Sequence, residues 1–103
     1  MACVLPDEEV FRARVLPGIA HVKANRLAEA AVQFRAAIES LLRDGAAIVV
    51  LGCTEIPAAF AVGDPWLAER CVDANDALAR ATVAWALAAR NAAQTSKSRP
   101  RAR

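Results

Sequence analysis

From Leu27 to Leu41 the apolar positions Leu27, Ala31, Phe34, Ile38 and Leu41 return in alternating steps of four and three. That spacing draws one apolar stripe along a helix facing a core. Glu29, Gln33, Glu39, Ser40 and Arg43 fall on the opposite side, and Arg26 and Arg35 flank the stripe. Gly45 stands where the residue just past a helix end belongs. The period then changes. Ile48, Val49, Val50 and Leu51 are consecutive and mostly β-branched, the pattern of a parallel strand covered on both faces. Gly52 ends this strand and allows close approach of the backbone to a ligand.

The flanking segments are shorter. Cys3, Val4 and Leu5 form an apolar run stopped by Pro6 and predict a strand, followed by a helix whose first turn carries Asp7, Glu8 and Glu9. Pro17-Gly18 is expected to interrupt that helix, with a second segment through Ile19, Val22 and Lys23. After Pro57 come Ala58-Ala59-Phe60, a Gly63-Asp64-Pro65 turn, and Cys71-Val72 as a short strand closed by Asp73. A last helix carries Leu78, Ala81, Trp85 and Ala88 on one face. Past Asn91 the chain turns polar and basic. The organisation expected is therefore one α/β lobe over residues 1–93, a small parallel sheet flanked by helices in a Rossmann-like manner, with a mobile basic tail over 94–103.

Composition narrows the classes of function. A chain of 103 residues with 56% hydrophobic content suits one small core. The net charge of +2 is concentrated in Lys97, Arg99, Arg101 and Arg103, so the body is a poor nucleic-acid binder and the tail reads as a solvated end. No apolar run is long enough to span a bilayer, and the first residues lack a basic start and apolar stretch. The cytoplasm is the default expectation. Three cysteines, Cys3, Cys53 and Cys71, have no metal-ligand spacing, and an odd number argues for reduced thiols. No cofactor motif is present.

Chemistry concentrates at residues 52–57. Ligands of open α/β folds collect beyond the carboxyl ends of the strands, where Cys53 and Thr54 stand. The run Gly52-Cys53-Thr54-Glu55-Ile56-Pro57, preceded by an apolar strand and followed by Val72-Asp73 and an alanine-rich helix, resembles the C-terminal half of the aspartate/glutamate racemase family, nearest its aspartate racemase branch. The resemblance runs from about Val4 to about Ala89 and includes Pro6 with acids after it, Lys23 before the long helix, and Gly45-Ala46 leading into the strand. Glutamate racemases usually carry histidine after the threonine, where this chain has Glu55.

The resemblance implies inversion at an amino-acid α-carbon without a cofactor, by two cysteines facing opposite sides of the substrate. By resemblance Cys53 is the second of these, Thr54 helps hold the substrate carboxylate, and Lys23 pairs with the side-chain carboxylate. Glu55 belongs to the substrate-binding group or braces neighbouring amides. Family members are two-lobed and about twice as long, and their first cysteine, in a Cys-Asn-Thr type motif, lies in the half not represented here. The expectation is thus an incomplete racemase fold that works with a missing lobe or as a homo-oligomer, since helices around Phe34 and Trp85 need cover.

Blander readings stand beside these. Cys3 and Cys71 read as small core hydrophobes. Thr54 and Asp73 suit turn or helix caps. His21 is a minor candidate for a dyad with Cys53, and Trp66 and Trp85 read as packing groups. Two other classes of function remain open: a non-catalytic module that binds dicarboxylic amino acids or oligomerises, and a thiol enzyme forming a covalent intermediate at Cys53.

Overall fold

The structure, a computed structural model, describes residues 2–98. Six α-helices and two strands follow in the order α1 (Glu8–Val10), a π-helical segment (Phe11–Val15), α2 (Leu16–Lys23), α3 (Leu27–Arg43), β1 (Val49–Leu51), α4 (Glu55–Ala58), α5 (Pro65–Arg70), β2 (Cys71–Asp73) and α6 (Ala74–Ser98). The chain is mostly helical, with a two-stranded parallel sheet of register Val49 to Cys71, Val50 to Val72 and Leu51 to Asp73.

The first helical run departs from the sequence expectation at both ends. Cys3, Val4 and Leu5 are exposed and form no strand, because a strand needs a neighbour to satisfy its backbone and the sheet stops at two. Asp7 caps the helix, accepting from the Val10 N–H at 3.0 Å. Pro17-Gly18 does not break the run. The turn before it widens instead: the Leu16 N–H donates to the Phe11 carbonyl, and Pro17, which has no N–H to offer, sits in the first turn of α2. Gly18 is buried against α3. Asn25, at φ 59, closes the turn to α3 in the left-handed region that asparagine tolerates.

In α3 the buried residues are Ala30, Phe34, Ala37, Ile38 and Leu41, so the expected stripe holds at Phe34, Ile38 and Leu41, whereas Leu27 at the helix start is exposed and Ala30 and Ala37 turn inward where Ala31 was expected. Gly45 ends the helix at φ 102, where only glycine is unstrained, and the Ala46 N–H returns to the Leu41 carbonyl at 3.1 Å. Two apolar clusters result. Ile38, Leu41, Val49 and Leu51 form one, with Trp66, Leu67 and Cys71 packed against it. Ala30, Phe34 and Phe60 form the other, with Ile19, Val22 and Ile56 around them. Phe34 is therefore covered within its own chain, against the expectation that it needs a partner.

The sheet is covered on one side only. Val49 and Leu51 face α3 and are buried, whereas Val50 is 64% exposed and Ile48 and Val72 also face outward. The continuous apolar run thus predicted a second covering layer that the described residues do not supply. The last helix departs further. All its described side chains from Asn75 onward are exposed, Trp85 at 73%, so Leu78, Ala81, Trp85 and Ala88 pack on no core formed by the described residues. The helix also continues through Ser98, into the segment expected to be a tail, since no glycine or proline interrupts residues 66–99. The rest of that segment lies outside the described residues. The radius of gyration, 19.7 Å, exceeds the roughly 13 Å of a compact chain of this length.

Candidate functional site

Both strands run in the same direction, so their carboxyl ends form one edge, and the register sets Leu51 beside Asp73 there. Cys53 follows β1 by two residues and is half-buried. Gly52 has open space where a Cβ would stand, so among the described residues no other group crowds that position next to the thiol. Thr54 begins α4 without a side-chain capping bond. Its hydroxyl donates to Glu55 Oε2 at 3.2 Å instead, so the capping role weighed for Thr54 is not the one observed. Glu55 is half-buried and Thr54 exposed.

Asp73 performs the capping expected of it. Its Oδ1 accepts from the Asn75 N–H at 2.9 Å and the Asp76 N–H at 3.4 Å, opening α6 at the same edge of the sheet as Cys53. Lys23 lies in the last turn of α2, exposed and without an ion-pair partner among the described residues. Helix α2 packs against α4, where Glu55 begins. The structure thus joins Thr54 to Glu55 by a hydrogen bond, and among the described residues Lys23 makes no ion pair with Glu55.

The remaining candidates separate from Cys53. His21 Nδ1 lies 3.5 Å from Glu29 Oε2, so its observed partner is a carboxylate and not a thiol. Cys71 stands opposite Val49, at the far end of the strand pair from Cys53, packed on the Ile38 cluster. Burial pushes its thiol up from the ordinary value of 9.0, opposed in part by the Arg70 charge. Cys3, expected as a small core residue, is instead exposed on the leading segment, which no strand of the described residues pairs with. Among the described residues no group of three or more histidines, cysteines or acids is arranged to hold a metal ion, and no helix is long and apolar enough to cross a membrane.

Two features were not anticipated from sequence. The guanidinium carbons of Arg35 and Arg70 lie 4.3 and 4.9 Å from the centre of the Trp66 ring, close enough for both cations to meet the indole π-system. Arg70 is fixed further by a 3.0 Å hydrogen bond from Nη1 to the Trp66 carbonyl. The spacing of Trp66 and Arg70 by four was a usable signal; the approach of Arg35 from α3 was not. A cleft of about 260 Å³ lies between the π-helical segment and α3, lined by residues including Arg14, Ser40 and Arg43. A shallower groove of about 450 Å³ runs along α6 past Val83 and Leu87. Neither includes Cys53, Thr54, Glu55 or Lys23. Comparison with models of known protein families, with curated proteins and with solved structures finds no match to this chain.

Proposed function

We propose that this chain is one Rossmann-like lobe of a cytoplasmic, cofactor-independent amino-acid racemase of the aspartate/glutamate type, with Cys53 as one of two thiol acid/base groups. The observation that carries the reading is the position of Cys53: half-buried past the carboxyl end of a parallel strand, next to the hydrogen-bonded Thr54 and Glu55. In this reading the Cys53 thiolate takes the α-proton of the substrate. The C–H electron pair moves into the carboxylate as an enediolate, and a thiol on the opposite face returns a proton. Donors must meet the charge that develops. Thr54 supplies a hydroxyl that turns from Glu55 to donate to the substrate, and Lys23, an ammonium with no ion-pair partner among the described residues, takes the side-chain carboxylate.

The second thiol comes from outside the described lobe. Cys71 is unsuited to it, lying half-buried against the Ile38 cluster at the opposite end of the sheet from Cys53. The bare sheet face at Ile48, Val50 and Val72 and the Leu78 and Trp85 side of α6 supply surface for the other lobe to cover. The test is exchange of the α-proton of L-aspartate and L-glutamate in heavy water, followed by proton NMR. One thiol suffices for exchange, so the reading predicts loss of the α-proton signal with this chain and none with Cys53→Ala. Exchange that persists in the variant, or its absence from both, overturns the reading.

A second reading is favoured by one observation: Lys23 is exposed and has no ion-pair partner among the described residues, so its charge is available to a carboxylate. In it the chain binds a dicarboxylic amino acid without turning it over. L-aspartate then raises the melting temperature equally in the parent chain and Cys53→Ala, without α-proton exchange.

A further inference from the structure

Five residues of α6 recur in a palindrome. Asp76, Ala79, Val83, Leu87 and Arg90 are separated by three, four, four and three positions, which places them on one side of the helix. Val83 is the centre. Ala79 and Leu87 are equidistant from it, and so are Asp76 and Arg90. This side holds the groove lined by Ala79, Arg80, Val83, Ala84 and Leu87, and Val83 is 58% exposed.

We propose that two copies of this chain pair through this side of α6, antiparallel, with Val83 on the two-fold axis. A two-fold contact brings each residue against its mirror position. Val83 meets Val83 of the second copy, and the small Ala79 meets the larger Leu87, so that a knob faces a hole. Asp76 meets Arg90 at both ends. Asp76 holds Arg80 of its own helix at 2.8 Å, while Arg90 has no ion pair among the described residues. A parallel pairing would oppose Asp76 to Asp76 and Arg90 to Arg90, so charge selects the antiparallel arrangement.

The chain exposes 7826 Å², against about 5,600 Å² for a compact monomer of its mass. The excess of about 2,200 Å² is spread over the chain, and α6, whose described side chains from Asn75 onward are all exposed, is part of it. Leu78 and Trp85 lie on the opposite side of α6 and take no part, so the pairing stands independently of the chemistry assigned to Cys53.

The test is sedimentation equilibrium of the full chain, with helix content checked by circular dichroism. The parent is expected to be dimeric. Val83→Glu loses the dimer, Arg90→Asp weakens it about tenfold, and Asp76→Arg combined with Arg90→Asp restores it. Leu78→Glu, on the opposite side, leaves it unchanged. A parent chain that stays monomeric at all concentrations overturns the proposal. So does a dimer indifferent to both Val83→Glu and Arg90→Asp, or a helical charge-swapped chain that does not regain the dimer.

Discussion

Gly18 lies so close to Phe34 that a Cβ built on it would stand 2.5 Å from Cε1 of the ring and within 2.9 Å of two further ring atoms. The glycine that sequence assigns to a helix break is therefore a packing device, letting α2 settle onto the aromatic at the centre of the second cluster. Gly18→Ala gains about 1 kcal/mol of helix preference and loses about 1–3 kcal/mol to overpacking. The ring is 1% exposed and has little room to move. We expect net destabilisation, seen as a lower midpoint in urea with an unchanged slope. A stabilised variant would mean that α2 and α3 do not meet at this point.

Cys71 makes stability depend on pH in one direction. Its folded thiol titrates above the ordinary value of 9.0 because of burial. Above that value the unfolded chain has lost the proton that the folded chain still holds, so stability falls as pH rises. Below it the thiol is protonated in both states and contributes no slope. Urea midpoints measured from about pH 8 upward should decline more steeply in the parent chain than in Cys71→Ala. Equal slopes would place Cys71 in water.

The two tryptophans should report opposite environments. Trp66 is half-buried on the Ile38 cluster between approaching arginines, while Trp85 is 73% exposed on the side of α6 that the proposed dimer leaves open. Acrylamide should quench two populations, and Trp85→Phe should remove the accessible one. If Trp66→Phe removes it instead, α6 packs against the body of the chain.

What sequence made legible was local. The Phe34, Ile38 and Leu41 part of the α3 stripe, Gly45 beyond its end and Asp73 at the start of α6 depend on neighbours within a turn or two, and each stands where the pattern puts it. The same holds for Cys53, whose place past β1 follows from the apolar run before Gly52. The failures share a cause as well. A strand at Cys3–Leu5, a second layer over Val50 and a core beneath Trp85 all require surface from elsewhere, and hydrophobicity states the need for cover without saying what supplies it. The approach of Arg35 to Trp66 joins α3 to α5 across 31 positions, a distance no periodicity spans. The Thr54 to Glu55 bond was within reach, since the two are adjacent, but the competing capping role had the stronger local precedent.

The most direct test of the account is the stereochemical course at the α-carbon. With one thiol acting from one face, L-aspartate or L-glutamate in heavy water should acquire α-deuterium and keep its configuration, and mixing with a lobe that supplies the opposing thiol should add the D-isomer. Chiral chromatography coupled to mass spectrometry reads both outcomes. Deuterated L-isomer that disappears in Cys53→Ala is the predicted result; no deuterium with the parent chain, or the same amount with the variant, contradicts it.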